Sequence, residues 1–583
     1  MSPARRPRLL LVLLVPLLLF VQSCSSIPTV GPVGTQTVGA GGSNGTEGVR
    51  ITPAGPEDGA SPQDIIEGFI NAGAGTSEDY SVAREYLAGN LSDSWSATDR
   101  VLVYGGEQPQ IVPLPEENTY QIRMGLAFSV DADGIRTAAE PGRIETLTVR
   151  LTDTGDGWRI ADVPNGIMLS QVNFNLVFTS HNLYFYSSTY EYWVPDTRWF
   201  VQRSGMATAI VKALLKGPAP YLQGAVTSAF PSGTTLARDA VPQANGVATV
   251  DLSADVLENA TDLNRQQMAM QLQRNLKLNN INSVEMTANQ RPVDLGSESS
   301  QLIQPEDGQT VPATQVAVLD GDVVFYENEQ PRSIEGFSAA GFGPQDPAVS
   351  RGLDAFAFLD GARSTLLVGA PNQPVREAGR GEAFTAPGID PHGWAWTAGT
   401  VPGGSEVIAA PTDGAGSTRI TAEWLAGHTV TSLRISREGA RALLVTRTGE
   451  TTRIYLAGVV RSSDGVPSAL TEPVLLRSDD PVTAAKWAGE DTYVALNDSG
   501  ARSTPLVLST GWRQEEGEDG LSTLTGISGF SVGNGINQLF VVASDPACRS
   551  EDGGEDSVGM CTMVEPPAGW ASTTLVYDPS FSG

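Results

Sequence analysis

The sequence predicts a multidomain chain: two α+β modules in series, followed by an all-β propeller. Three observations predict it. Short strand pairs recur through the whole C-terminal half. Two earlier stretches each mix helical periodicity with alternating strands. A basic, apolar head and a Gly/Ser/Thr/Pro-rich stretch precede them. The 583 residues correspond to three or four domains at roughly 150 residues each. With 40% hydrophobic and 18% charged residues, the chain can bury real cores. Lys plus Arg is 37 against 66 Asp plus Glu, a formal charge of −29. That excludes a nucleic-acid partner, because phosphate binding needs clustered cations. It also excludes membrane attachment through a basic patch. Three His and three Cys argue against a zinc enzyme and against a disulfide-framework miniprotein.

Residues 1–23 read as a signal peptide. Arg5, Arg6 and Arg8 form a basic head, and Leu9 to Val21 is an apolar run interrupted by Pro16. The run is too short for a transmembrane helix of ~20 residues and suits a signal-peptide core. Val21-Gln22-Ser23-Cys24 resembles a bacterial lipobox, with a small residue before the Cys and an aliphatic one three before it. In such a motif the thiol, here that of Cys24, takes the lipid and becomes the new amino terminus. Two acyl chains, palmitate for example, suffice for stable anchoring where one does not. The partner implied is membrane lipid, on the extracytoplasmic face of the cell membrane. Residues 24–60 then read as a lipidated flexible tether without aromatic residues. Its reach is roughly 35 Å.

Order is expected from Ser61. Ser61-Pro62-Gln63-Asp64 is a helix start, with a capping Ser, Pro at the first helical position and an acid at the third. Ile65, Ile66, Phe69 and Ile70 share one helical face, and a second helix holds Tyr80, Ala83 and Leu87. The period then becomes two, through Ile122–Val130, Leu147–Leu151 and Trp158–Ile160. This α+β module is assigned to residues 61–189. Its layout is similar to nuclear-transport-factor-two-like (NTF2-like) domains.

Residues 190–302 form the second module. Ile210, Val211, Leu214 and Leu215 mark a helix that Gly217-Pro218 ends, and Met268, Leu272 and Leu276 mark another. Ala248–Leu252 and Val284–Ala288 alternate as strands. Leu214-Leu215-Lys216-Gly217-Pro218, Phe230-Pro231-Ser232-Gly233-Thr234, Val250-Asp251-Leu252-Ser253 and the helix around Gln266, Gln267 and Gln271 resemble, in that order, the GerMN domain of germination and sporulation proteins. Each also has a plain structural reading: Gly217 stops a helix, Phe230-Pro231 leads into a turn, and Asp251 faces solvent on a strand.

Residues 303–583 are assigned to the propeller. Strand pairs open near Ala317, Val349, Ile389, Val430, Val482, Ile527 and Trp570. A repeat of roughly 40–45 residues with several short strands per unit is a propeller signature. Six blades are favoured over seven. Cys548 and Cys561 bracket an acidic, Gly-rich loop; they form either a disulfide or two independent thiols.

No catalytic residue, metal site or cofactor is expected. Gly529-Phe530-Ser531-Val532-Gly533 matches the G-x-S-x-G elbow, but its surroundings read as a hairpin and every His comes earlier in the chain. Ser129 to Glu140 approaches an EF-hand loop, yet it starts with Ser and is flanked by strands, so a β-turn is expected. Glu551, Asp552, Glu555 and Asp556 read as a solvated hairpin tip. His392, beside Trp394 and Trp396, reads as a packed blade residue. Propellers do host glycosidases with paired carboxylates, and a propeller glycan hydrolase is the least favoured alternative.

The order of lipobox, tether, α+β module, GerMN-like module and propeller resembles the lipoprotein LpqB family of mycolate-making and related Gram-positive bacteria. Val194-Pro195-Asp196-Thr197-Arg198-Trp199, Gly217-Pro218, Phe230-Pro231-Ser232-Gly233 and Asp578-Pro579-Ser580-Phe581 carry the likeness. The resemblance implies a non-enzymatic accessory of a two-component sensor kinase of the MtrA–MtrB type. It would contact the kinase's extracellular domain and influence cell-wall homeostasis and division. The alternative is a peptidoglycan or muropeptide binder acting through the GerMN-like module.

Overall fold

The structure is a computed structural model. It describes residues 51–583 except 77–78, 203–204, 258–259, 415, 463, 479–480, 499–501, 512–520, 522, 550–556 and 565–568. The signal peptide and Cys24 lie outside the described residues. The end of the expected tether does not: Ile51 and Ala60 pack on the first core, and the Tyr86 hydroxyl donates to the Ala54 carbonyl at 2.9 Å. Apolar side chains and a waiting phenol hold residues that composition assigned to a linker.

The first helix, Pro62–Ala72, starts at a capping box. The Ser61 Oγ accepts from the Asp64 amide, and Asp64 Oδ2 accepts from the Ser61 amide at 2.9 Å. Ile65, Ile66, Phe69 and Ile70 are buried against a seven-stranded sheet. Its order is Trp158–Asp162, Ile144–Asp153, Thr119–Asp131, Arg100–Tyr104 and Ile167–Ser170, with two short strands added to Thr119–Asp131. Pairing is antiparallel except between the last two strands, which are parallel. Arg100–Tyr104 is buried on both faces after its first residue. It lacks the alternation that marks half-exposed strands and so escaped periodicity.

The expected division at 189/190 falls in a hairpin. Phe178–Ser187 pairs along its length with Trp193–Val201, and Leu183 and Phe185 pack with Ile210, Leu214 and Leu272 in the second core. The strand before the boundary therefore serves the second module. There the parallel strands Val247–Leu252 and Ser283–Ala288 are joined across helix Asp262–Asn275, with helix Met206–Lys216 on the same core. Helix Asp262–Asn275 has a weak apolar stripe and buries amides instead. Gln271 Oε1 accepts from the Ala229 amide at 2.9 Å while its Nε2 donates to the Tyr184 carbonyl at 2.8 Å. Asn275 grips the same strand: its Oδ1 accepts from the Tyr184 amide and its Nδ2 donates to the Tyr184 carbonyl. Backbone groups that no strand satisfies are met by side-chain amides.

The C-terminal half is a β-propeller-like domain. Among the described residues it comprises six sheets. Five run outward in chain order from Gln345–Val349, Gly388–Ile389, Thr429–Ile435, Val482–Trp487 and Ile527–Gly533. The remaining sheet starts from Tyr577–Ser580, which pairs with Gln315–Leu319 and so closes the chain's end onto the domain's beginning. The strand pair expected near Trp570 does not form. Gly569–Thr573 is instead the last strand of the sixth sheet, and the chain then crosses to the first. This crossing ties the two ends of the domain together in one sheet.

Candidate binding surfaces

Of the residues that carried the family resemblance, Val194, Asp196, Arg198 and the Gly217-Pro218 helix end sit where the three modules meet. Val194 is fully buried in a core that also holds Ile135 of the first module, Tyr221 and Leu222 of the second, and Leu443, Val445, Leu456 and Trp487 of the propeller-like domain. Beside it lies a buried ion pair. Arg198 donates from Nε and Nη2 to the two Asp196 carboxylate oxygens at 2.8 and 2.6 Å, and from Nη1 to the Asp133 carbonyl at 2.8 Å. Asp196 also accepts from the Ala219 amide at 2.8 Å, just past the Gly217-Pro218 helix end. Burial works against the Arg198 charge, and the Asp196 carboxylate more than offsets it. Both side chains are almost wholly enclosed, with exposures of 3% and 0%.

Further contacts join the modules around this centre. Arg453 forks onto the Glu140 carboxylate, and Ser478 Oγ donates to the Ala139 carbonyl at 2.7 Å. Arg274 stacks over Tyr184 and pairs with Asp307 at 2.6 Å and Glu490 at 3.6 Å. Asn182 Nδ2 donates to Asp491 at 3.1 Å. Within the propeller-like domain, Arg441, buried with Glu438 at 2.7 Å, holds the Glu490 segment that meets Arg274 by donating to the Glu490 carbonyl at 2.6 Å. The three modules thus belong to one compact unit joined by a shared core and polar contacts.

The second module carries an open groove of about 750 Å³, lined by Leu257, Arg265, Asn289, Arg291, Pro292 and Asp294. Its polar rim contains two guanidinium groups. Asp251, expected to face solvent, is 3% exposed and lies beneath the neighbouring turn. Its Oδ1 accepts from Thr287 Oγ1 at 2.8 Å and from the Gln290 amide at 2.7 Å. Asn289 and Gln290 both have positive φ, at 46° and 66°. Asp251 therefore holds a tight turn, a long-range role that strand alternation cannot signal. Phe230 is buried in the module core, and Thr234 Oγ1 donates to the Pro231 carbonyl at 2.6 Å, closing the turn after it.

Ser531 of the G-x-S-x-G match is fully buried on a strand and donates to Gln315 Oε1 at 2.7 Å. It has neither the exposure nor the partner of a nucleophile. In the EF-hand-like stretch, Asp131 Oδ1 accepts from the Asp133 and Ile135 amides at 2.9 Å, capping a turn between paired strands. His392 packs edge-on to Tyr192. Its neighbour Asp390 accepts from Trp396 Nε1 at 2.7 Å and pairs with Arg461 at 2.5 Å. Among the described residues there is no cluster of three or more His, Cys, Asp or Glu fit to hold a metal ion. Cys548 and Cys561 are joined in a disulfide with Cα atoms 4.7 Å apart. Glu551, Asp552, Glu555 and Asp556, in the loop between them, lie outside the described residues. Among the described residues no helix is long and apolar enough to cross a membrane.

These features define a multidomain, mostly β protein: two α+β modules fused to a propeller-like domain. Family models match it in series. "Lipoprotein LpqB, N-terminal domain" covers residues 55–175, "Sporulation and spore germination" 182–294, and "Lipoprotein LpqB beta-propeller domain" 321–544. The chain belongs to the lipoprotein LpqB family. Its relatives include lipoprotein LpqB of Thermobifida fusca, 26% identical over 566 residues, covering 85% of this chain and 88% of the relative. Lipoprotein LpqB of Bifidobacterium longum is 26% identical over 476 residues, covering 78% of each. Among solved structures, TolB from Acinetobacter baumannii matches at 14% identity and a TM-score of 0.32, covering 60% of this chain and 99% of that one.

Proposed function

We propose that this protein is a non-enzymatic surface adaptor, anchored through an acylated Cys24 on the extracytoplasmic face of the membrane. There it contacts the extracellular domain of a sensor histidine kinase of the MtrA–MtrB type and influences cell-wall homeostasis and division. One observation carries the adaptor reading. Three modules share a continuous core at Val194 and Tyr221, as a rigid multi-surface scaffold requires, and none of the motif candidates has catalytic geometry. The names of its relatives support the anchor. Within this reading the propeller has six blades and the first module is NTF2-like.

The test is direct binding of residues 51–583 to the purified kinase sensor domain. Saturable binding in the micromolar range is expected, and none at high micromolar concentration defeats the reading. For the anchor, Cys24→Ala is expected to release the protein to the medium or to leave an uncleaved precursor, with the fold unchanged. A variant that is cleaved yet stays membrane-bound defeats it.

The groove in the second module favours a second reading, binding of peptidoglycan fragments. Arg265 and Arg291 on its rim suit the carboxylates of a muropeptide. Sedimentation with purified peptidoglycan, lost in Arg291→Glu, supports this reading; sedimentation unchanged by the substitution counts against the groove.

A further inference from the structure

The innermost strands of the propeller-like domain meet around its axis, and four of them bring an unusual set of residues together. Arg434 lies on Thr429–Ile435, Lys486 on Val482–Trp487, Ser531 on Ile527–Gly533 and Ser580 on Tyr577–Ser580. Arg437 follows the first of these strands. In a chain of net charge −29, three cations converge here. All three are held by neutral groups. Arg434 Nη1 donates to the Ala386 and Leu433 carbonyls at 2.6 and 2.7 Å. Arg437 donates to the Gly533 carbonyl at 2.7 Å, and to the Gln309 carbonyl and Asn534 Oδ1, each at 3.1 Å. Lys486 Nζ donates to the Phe530 carbonyl at 2.5 Å and lies 5.1 Å from that ring's centre. Among the described residues no carboxylate forms an ion pair with any of the three.

Carbonyls orient a cation but do not neutralise it, and enclosed charge without a counter-charge is unfavourable. A cavity of about 20 Å³ lies among Arg434, Arg437, Lys486, Ser531, Phe581, Ser582 and Gly583, whose terminal carboxylate is the one negative group in this lining. The volume is room for one water-sized species. Among the described residues the buried Ser582 hydroxyl beside it has no hydrogen-bond partner.

We propose that this axial cavity is a binding site for a compact monoanion of chloride size, held by Arg434, Arg437 and Lys486 with the Ser582 hydroxyl as a neutral donor. Size and charge together select the ligand. A phosphate or sulfate is too large for the cavity while Phe581 stays seated, whereas a halide fits and offsets positive charge that the single terminal carboxylate of Gly583 leaves unbalanced among three cations. The groups that act on Lys486 set its pH response. Burial and Arg434 push its pKa down to about 7, while Asp346 and Asp578, on neighbouring inner strands, oppose them more weakly. An anion in the cavity favours the ammonium form, so binding is tighter below pH 7 and weakens as Lys486 loses its proton.

The test uses the full chain in sodium gluconate, exchanged stepwise for chloride or formate at constant ionic strength. Thermal unfolding at pH 6 is expected to rise saturably with chloride, with half-saturation in the millimolar range. At pH 9 the half-saturation concentration is expected to be at least tenfold higher. Crystals soaked in bromide are expected to show an anomalous peak among Arg434, Arg437 and Lys486. Lys486→Met is expected to abolish the chloride response; should it fail to fold, the bromide peak and the partly buried Arg437→Gln give the same answer. Equal unfolding temperatures in chloride and gluconate, with no bromide at the axis, overturn the proposal: the cations are then balanced from within the chain. Stabilisation by formate with chloride inert overturns the halide assignment.

Discussion

Asp196 and Arg198 show how much rests on single residues in this fold. The pair is buried, bidentate and shared by three elements. Removing one member strands the other's charge, at a cost of ~3–5 kcal/mol, although the intact pair is worth far less than that. Arg198→Met is therefore expected to lower stability by about that much in denaturant titration. The double variant Asp196→Leu/Arg198→Met should recover part of the loss, and a double-mutant cycle reads the difference. Lys486 adds a pH dependence of known sign. Its folded pKa is depressed to about 7 from an ordinary value of 10.5. Between those values the unfolded chain binds the extra proton, so this residue's contribution to stability rises with pH from 7 toward 10 and is flat below 7. In halide-free buffer, wild type is expected to gain on Lys486→Met between pH 7 and 9; a constant difference would show that Lys486 is solvated.

At the scale of elements, helix Asp262–Asn275 is held by amides rather than by an apolar stripe. Gln271 alone satisfies the Ala229 amide and the Tyr184 carbonyl. Gln271→Leu keeps the volume and removes both bonds, leaving the Ala229 amide without its acceptor and the Tyr184 carbonyl with only its bond from Asn275. A loss of about 1–3 kcal/mol is expected, the cost of one buried unsatisfied group. Faster amide exchange at Ala229 should accompany it. The first helix was readable from Ser61, Pro62 and Asp64, because a capping box is a local device. The Gln-rich helix was readable as a helix. Its packing was not, because the groups its amides serve lie 42 and 87 residues away in sequence.

At the scale of the whole molecule, Ile135, Val194, Tyr221 and Leu443 belong to one core although they come from three modules. Domains joined by short linkers usually unfold separately, whereas a shared core couples them. Calorimetry on residues 51–583 is accordingly expected to give one dominant transition. Two well-separated transitions would show that the shared core is weak. Arg453→Ala removes the contact with Glu140, which is half exposed, and should cost under ~1 kcal/mol. It should still raise amide exchange locally, around residues 136–139 and Ser478.

The sequence alone determined the order of the parts: an apolar head with Cys24, a Gly/Ser/Thr-rich stretch, two α+β modules and a repeating all-β half. These follow from composition, capping and period, which are local properties. Tertiary structure decided the rest. It placed residues 51–60 against the first core, assigned Phe178–Ser187 to the second module and buried Asp251 under a turn. It sent the chain's last strand back to the first sheet and gathered Arg434, Arg437 and Lys486 at one axis. Each of these depends on partners tens to hundreds of residues apart, and such contacts leave no periodic trace in the chain.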